Sequence, residues 1–365
     1  MYPSQIKTKI KVNKFKLSPF NTNVIIMGLL FLLYLFFQHY FSDLLASNEQ
    51  NVSFPKIYTY KIVNEYPHYH KQYDSIKNTR LEYDESFNIN AVPFVQGLTF
   101  LNSSIIVESA GLYRGSFIRF VEFPSMNNLK HRVLEPNFWG EGATVYKDNI
   151  LQLTWTSGIL IAYPLKYNLT KRKLYSFPFI GWGLTSNNND KLWATTGSDK
   201  LLELEVPDFD SPNENIIVKN EINITCLGKP LFNVNEMEYI PATKTIWGNI
   251  FLSNIIVEIN PDNGKCLSIV YVGDIYDPKN STIYEHFDIG NDVLNGIAYH
   301  DSLEKFNNNT SNKYEPIFIV TGKRWPRMYL IKLEEISINN DNTYNTNFTN
   351  IDQYYRYHIQ TRIDS

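Results

Sequence analysis

Glu141 lies inside Trp139-Gly140-Glu141-Gly142, between an aromatic side chain and two glycines. A carboxylate flanked in this way is partly desolvated, and desolvation raises its pKa by disfavouring the charged form. A carboxyl group that can hold a proton near neutral pH suits general acid/base work. The surrounding run EGATV at 141–145 has four look-alikes: QGLTF at 96–100, WGLTS at 182–186, NEMEY at 235–239 and NGIAY at 295–299. Their leading residues are Gln96, Glu141, Trp182, Asn235 and Asn295. All but Trp182 are polar at the head of an apolar run, where packing alone would favour Val or Ile. For any one of the asparagines, holding water is the competing role. A carboxylate with several amides, a lysine and large aromatics at one place is harder to explain that way.

Other chemistries find less support. His68 and His70 stand two apart in a polar stretch, and no distant His, Cys or Asp set completes a zinc site. There is no nucleophile elbow, phosphate loop or dinucleotide fingerprint. The basic run GKRWPR at 322–327 reads as a solvated face. A net charge of −3 over 365 residues gives no footprint for nucleic acid, and none is expected as a partner. Two cysteines, Cys226 and Cys266, exclude a disulfide-dense domain; at most they form one bridge, in an oxidising compartment.

The elements that must position these residues are strands. From residue 56 onward the chain runs through short β-branched and aromatic segments such as SIIVES, ILQLTW, LIAYPL, KLWATT, IIVEIN and IFIVTG, bounded by Gly, Asn, Asp and Pro. The five look-alike segments start 45, 41, 53 and 60 residues apart. Four-stranded units at about 40–45 residues are the mark of propeller blades. The expected fold is therefore all-β, a five-bladed β-propeller over 56–336, with insertions near 69–90 and 300–313 and an Asn-rich tail at 337–365. A second strand follows each segment, with Glu108, Trp155, Thr196, Phe251 and Lys323 at comparable places. The strand Lys56–Val63 is expected to complete the last blade, and 64–92 to be a polar surface excursion. In a propeller the heads of the inner strands converge on one mouth, so the five leading residues should meet there.

The N-terminus speaks to compartment. Lys7, Lys9, Lys11, Lys14 and Lys16 precede the apolar run Val24–Phe37, which extends through Phe41. This reads as a basic cytoplasmic tail (1–23), a transmembrane signal-anchor (24–41) and a linker (42–55), with the rest lumenal or outside. A signal peptide cleaved near Ala46 is the competing reading. Asn51, Asn102, Asn168, Asn223, Asn280, Asn308, Asn309 and Asn347 open glycosylation triplets, which an Asn-rich chain also produces by chance. The expected setting is the secretory pathway or cell surface, as a single-pass membrane protein.

Side by side, YPH at 66–68, FVQGLTF at 94–100, VESAGLYRGS at 107–116, WGEGATVY at 139–146, QLTW at 152–155, GWGLT at 181–185, NEMEY at 235–239, VLNGIAY at 293–299 and VTGKRWP at 320–326 resemble the plant and bacterial glutaminyl cyclases, the glutamine cyclotransferase family. Each motif is weak alone; nine in the family's order are specific. The resemblance implies a five-bladed propeller that turns the N-terminal glutamine, and more slowly glutamate, of peptides and proteins into pyroglutamate. It also implies no metal or other cofactor.

Residue by residue, the resemblance places Glu141 on the catalytic glutamate, and Phe94 and Gln96 on a phenylalanine and a glutamine of the site. Trp155 and Trp182 fall on pocket tryptophans, Asn235 on an asparagine and Lys323 on a lysine. Trp139 stands where the family usually has Phe, and Phe251 where it usually has Trp. The expected scheme has Glu141 as proton shuttle, with Gln96, Asn235 and Lys323 as donors to substrate oxygen. Phe94, Trp139, Trp155, Trp182 and Phe251 would then form an aromatic cage, with Asn295 beside it. A monomer is expected. Two other readings stay open: a non-catalytic propeller gripping peptide N-termini, and a calcium-dependent hydrolase with Glu141, Asn235 and Asn295 as ligands.

Overall fold

The computed structural model describes residues 55–68, 92–273, 275–276, 291–306 and 315–336. The expected cytoplasmic tail (1–23), membrane segment (24–41) and all but the last residue of the linker (42–55), the whole 69–90 insertion, the second half of the 300–313 insertion and the 337–365 tail lie outside these residues. Among the described residues no helix is long and apolar enough to cross a membrane.

The expected all-β class holds. After β1 (Lys56–Pro67) comes an antiparallel meander of β2 (Val95–Asn102), β3 (Ile105–Ala110), β4 (Phe117–Glu122) and β5 (Asn128–Val133). A second is built from β6 (Gly140–Tyr146), β7 (Asn149–Thr154), β8 (Ile159–Pro164) and β9 (Lys173–Ser176), and a third from β10 (Leu184–Ser186), β11 (Leu192–Thr195), β12 (Lys200–Glu205) and β13 (Ile217–Asn223). A small hairpin, β14 (Thr225–Cys226) and β15 (Lys229–Pro230), leads into an eight-stranded sheet. That sheet holds β16 (Val234–Ile240), β17 (Thr245–Ile250), β18 (Ile255–Ile259) and β19 (Cys266–Tyr271), then β20 (Leu294–Ala298), β21 (Ile317–Gly322) and β22 (Arg327–Glu335).

β1 does return to the last run, pairing antiparallel along β22 from Tyr58 opposite Glu335 to Pro67 opposite Arg327. A three-residue parallel pairing with β19, Lys56 to Tyr58, joins the two runs of the eight-stranded sheet. The strand is four residues longer than Lys56–Val63. The polar stretch Asn64–Pro67, read as excursion, stays in the sheet because its backbone pairs with β22 and Tyr66 packs against Met328 and Leu330.

Burial separates inner from outer strands. β6 (GEGATVY) is buried at every position, whereas β5 (NLKHRV) has none buried. The first strands of successive runs are neighbours in the order β2, β6, β10, β16, β20 and back to β2. Apolar side chains fill each space between runs: Val107 and Ile118 against Ala143 and Ile150, Leu151 and Leu160 against Leu184 and Leu202, Trp193 and Leu201 against Met237 and Ile246. Ile240 and Trp247 then meet Phe318, and Ala298 and Ile319 meet Val95 and Ile106, which closes the circuit. Each Val, Leu, Ile, Met or Phe side chain among these contributes about 1.5–3 kcal/mol on full burial.

Glycines set the spacing at the centre. A Cβ on Gly97, Gly142 or Gly183 would strike the backbone of the next first strand, at Ala143, Leu184 or Asn235. Those glycines directly follow Gln96, Glu141 and Trp182, so each repeated polar-Gly or Trp-Gly pair couples a leading residue to a close strand crossing.

Candidate active site

Four of the leading residues are second in their strands: Gln96 in β2, Glu141 in β6, Asn235 in β16 and Asn295 in β20. Pairing slips at those places, between Val95 and Gly97, Gly140 and Ala143, Val234 and Met237, and Leu294 and Ile297. A bulge leaves a residue outside the ladder and re-aims its side chain. Trp182 precedes β10 and is held by backbone bonds to Thr195 O and from Gly142 N.

Glu141 is buried, and its Oε1 accepts a 2.9 Å bond from Gln96 Nε2. Gln96 Oε1 accepts a 3.0 Å bond from Asn295 Nδ2, which also donates to Val95 O. A chain of amides therefore fixes the carboxyl group from one side. Burial pushes the Glu141 pKa well up, and the Lys323 charge opposes this only in part.

Lys323 follows β21 and is also buried, with its ammonium 4.5 Å from the Phe251 ring centre and 5.0 Å from that of Phe94. Burial lowers its pKa to about 8, against the pull of Glu141 and Asp292. Its backbone is fixed by a 2.9 Å bond to Val293 O.

The aromatic walls form two groups. Phe94 meets Trp139 edge-on at 5.7 Å, and Trp139 meets Trp155 at 5.6 Å. Across from them, Trp182 meets Phe251 edge-on at 5.5 Å. Glycines seat both indoles: a Cβ on Gly111 would strike Trp139 Nε1, and one on Gly197 would strike the Trp182 ring. Trp155 packs against Trp139 and is 37 % exposed. Asn235 Oδ1, Asn295 Oδ1 and Trp139 Nε1 are buried without a hydrogen-bond partner among the described residues. Such unspent polar atoms are costly in a core and useful where a ligand arrives.

Two placements from sequence need correction. Glu108 is not the counterpart of Trp155, Thr196, Phe251 and Lys323, because β3 runs on to Ala110 and the matching position is Gly111. Glu108 is instead fully buried in a charge cluster, its carboxylate 2.9 Å from Arg119 Nε and 2.7 Å from His68 Nε2. His68 is correspondingly buried and not on a surface loop; its Nδ1 lies 3.0 Å from Trp325 O, in the turn that carries Lys323. Cys226 and Cys266 are both buried and free.

Three polar groups were missed. Glu236 occupies the place where the other four segments carry glycine, and reaches across the ring to accept from Leu98 N (3.1 Å) and Ile297 N (2.6 Å). Glu238 accepts from Tyr299 N (3.1 Å) and from the Thr99 hydroxyl (3.3 Å). Asn249 Oδ1 accepts from Gly296 N at 2.9 Å, while its Nδ2 has no partner among the described residues. The signal was present in each case: a carboxylate or amide at an otherwise apolar strand position.

A family model described as glutamine cyclotransferase matches residues 74–333, most of the chain. The chain belongs to the glutamine cyclotransferase family. The glutaminyl-peptide cyclotransferase of Arabidopsis thaliana is 27 % identical over 250 residues, covering 68 % of this chain and 70 % of that one. In shape, the chain is similar to the crystal structure of the glutaminyl cyclase of Myxococcus xanthus, with a TM-score of 0.56 and 23 % identity over 78 % of this chain and 100 % of that one. The family match takes in every site residue described above, from Phe94 to Lys323.

Proposed function

We propose that this cyclotransferase converts N-terminal glutamine of peptides to pyroglutamate with release of ammonia, without a metal, on a five-bladed propeller. The observation that carries this reading is the pairing of a buried glutamate of raised pKa with a buried lysine of lowered pKa, between aromatic walls. The blade count takes the eight-stranded sheet as two blades joined at their outer edges by β1.

The substrate's α-amine attacks the carbonyl carbon of its own side-chain amide, closing a five-membered ring. A free α-amine has a pKa of about 7.7–8.0, so a fraction is already neutral near pH 7. Glu141, as carboxylate, takes one proton from the attacking nitrogen and gives it to the departing amide nitrogen, which leaves as ammonia. Such transfer is worth about 10²–10⁴ in rate. Gln96 aims Glu141, and Lys323 supplies positive charge to the oxygen of the tetrahedral intermediate. The rings of Phe94, Trp139, Trp182 and Phe251 hold the curled side chain, and Trp155 borders the entrance.

The same proposal keeps the catalytic domain on the lumenal side of a membrane, anchored by residues 24–41. Asn102, Asn168 and Asn223, which open glycosylation triplets, are exposed, in support of that placement. The test is pyroglutamate and ammonia formation from a short Gln-initiated peptide, with and without a metal chelator. Chelator-resistant turnover is expected; no turnover by folded protein, or turnover abolished by chelator, contradicts the reading.

A further inference from the structure

The aromatic surface of the pocket does not end at its mouth. Trp139, which meets Phe94 within the pocket, also meets Tyr113 at 5.2 Å and Trp155 at 5.6 Å, and those two rings lie 6.5 Å apart. Tyr113 is 46 % exposed and Trp155 37 % exposed. They come from different turns, Tyr113 from the β3–β4 connection and Trp155 from the residue after β7. A 2.9 Å hydrogen bond between the Tyr113 and Thr156 hydroxyls ties the two turns together. The ledge is thus preformed, so a ligand lying on it does not bear the cost of ordering it. On the other side of Phe94 the lip is charged: the Arg324 guanidinium sits 5.2 Å from the Phe94 ring centre and donates from Nε to Asp292 at 2.6 Å.

We propose that the Tyr113–Trp155 ledge is a subsite for the residue that follows the N-terminal glutamine, and that it selects aromatic or other large apolar side chains there. The inference rests on the cyclotransferase reading, which puts the first residue beside Glu141. Only the α-amine and side-chain amide of that residue react, so its carbonyl and the rest of the peptide must leave through the mouth. The second Cα lies about 3.8 Å from the first. Trp139 forms both the inner wall and the start of the ledge, so a single residue step carries the next side chain onto Tyr113 and Trp155. The Arg324 lip offers an apolar side chain no equivalent surface.

The experiment is steady-state kinetics with Gln-Phe-amide, Gln-Leu-amide and Gln-Gly-amide on the wild type, Tyr113→Ala and Tyr113→Phe. The wild type is expected to show a KM for Gln-Phe-amide roughly three- to ten-fold below that for Gln-Gly-amide, with similar kcat. The two KM values should converge in Tyr113→Ala and stay apart in Tyr113→Phe, which keeps the ring. Equal KM values in the wild type, or a gap that survives in Tyr113→Ala, overturn the subsite and leave the cyclotransferase reading intact. If no peptide turns over, that reading fails. Calorimetric titration of Glu141→Gln with the same amides then decides the ledge alone: tighter binding of Gln-Phe-amide supports it and equal binding overturns it.

Discussion

Glu141 on β6 and Glu236 on β16 are both buried glutamates whose pKa is pushed well up by burial. Their partners differ. Glu236 has both oxygens occupied by backbone N–H groups, from β2 and β20, so it fastens strands across the centre. Glu141 accepts one side-chain amide on Oε1, shares its surroundings with a cation, and stands among unspent polar atoms. Burial and a raised pKa therefore do not by themselves mark a catalytic acid. In the proposed scheme, what sets Glu141 apart is the unspent hydrogen-bonding capacity around it.

The sharpest way to break this contrast is Glu141→Gln, expected to lower kcat by about 10²–10⁴ in peptide cyclisation assays. A variant that keeps a tenth of the rate contradicts the shuttle. Next comes Lys323→Met, for which a loss of about 10²–10³ in kcat is expected if the ammonium stabilises the oxyanion. The alkaline limb of the wild-type pH–rate profile should fall near pH 8, where Lys323 loses its proton, and Lys323→Arg should move that limb upward. An unmoved limb would assign it to another group.

Smaller effects probe the supports. Gly197→Ala places a methyl group against the Trp182 ring at a backbone φ of +81°, so a loss of about 1–3 kcal/mol in denaturant unfolding and a raised KM are expected. Unchanged KM would separate Trp182 from binding. Glu238 provides the pH test of the central fastening. Burial raises its pKa from 4.5 to about 8, so between these values the folded state holds a proton that the unfolded chain has lost. Its contribution to stability is full below about pH 4.5 and is lost as pH rises to about 8, with a slope of at most ~1.4 kcal/mol per pH unit. Glu238→Gln should flatten that part of a Tm-against-pH curve. An unchanged slope would mean that Glu238 does not titrate there.

Much of the ring and its mouth was legible in the sequence, because both recur. The look-alike segments mark first strands, and four of their five leading residues, all but Trp182, mark the sites where pairing slips. The return of β1 to the last run could also be read. What escaped was whatever broke the repeat. Glu236 replaces the expected glycine in NEMEY, so the one segment without that glycine carries a carboxylate there instead. The Glu108 offset arose from ending the second strand three residues early: β3 runs on to Ala110, so the matching position is Gly111, whose missing Cβ makes room for Trp139. His68 read as a loop residue because its local sequence is polar. Its burial depends on Glu108 and the Trp325 carbonyl, 40 and 257 residues away, and no local pattern encodes such distant partners.

The most direct test compares Glu141→Gln with Glu236→Gln, measuring kcat per folded molecule and Tm for both. At position 141 a glutamine oxygen can still accept from Gln96, so Tm should hold or rise slightly while kcat falls at least about a hundredfold. At position 236 a glutamine has one acceptor oxygen for two backbone N–H groups, leaving a buried donor unpaired at about 1–3 kcal/mol. Tm should then drop by several degrees, with kcat per folded molecule within about twofold of wild type. The reverse pattern, a Glu141→Gln that melts early but turns over or a stable Glu236→Gln that does not, would contradict the division of labour between the two glutamates.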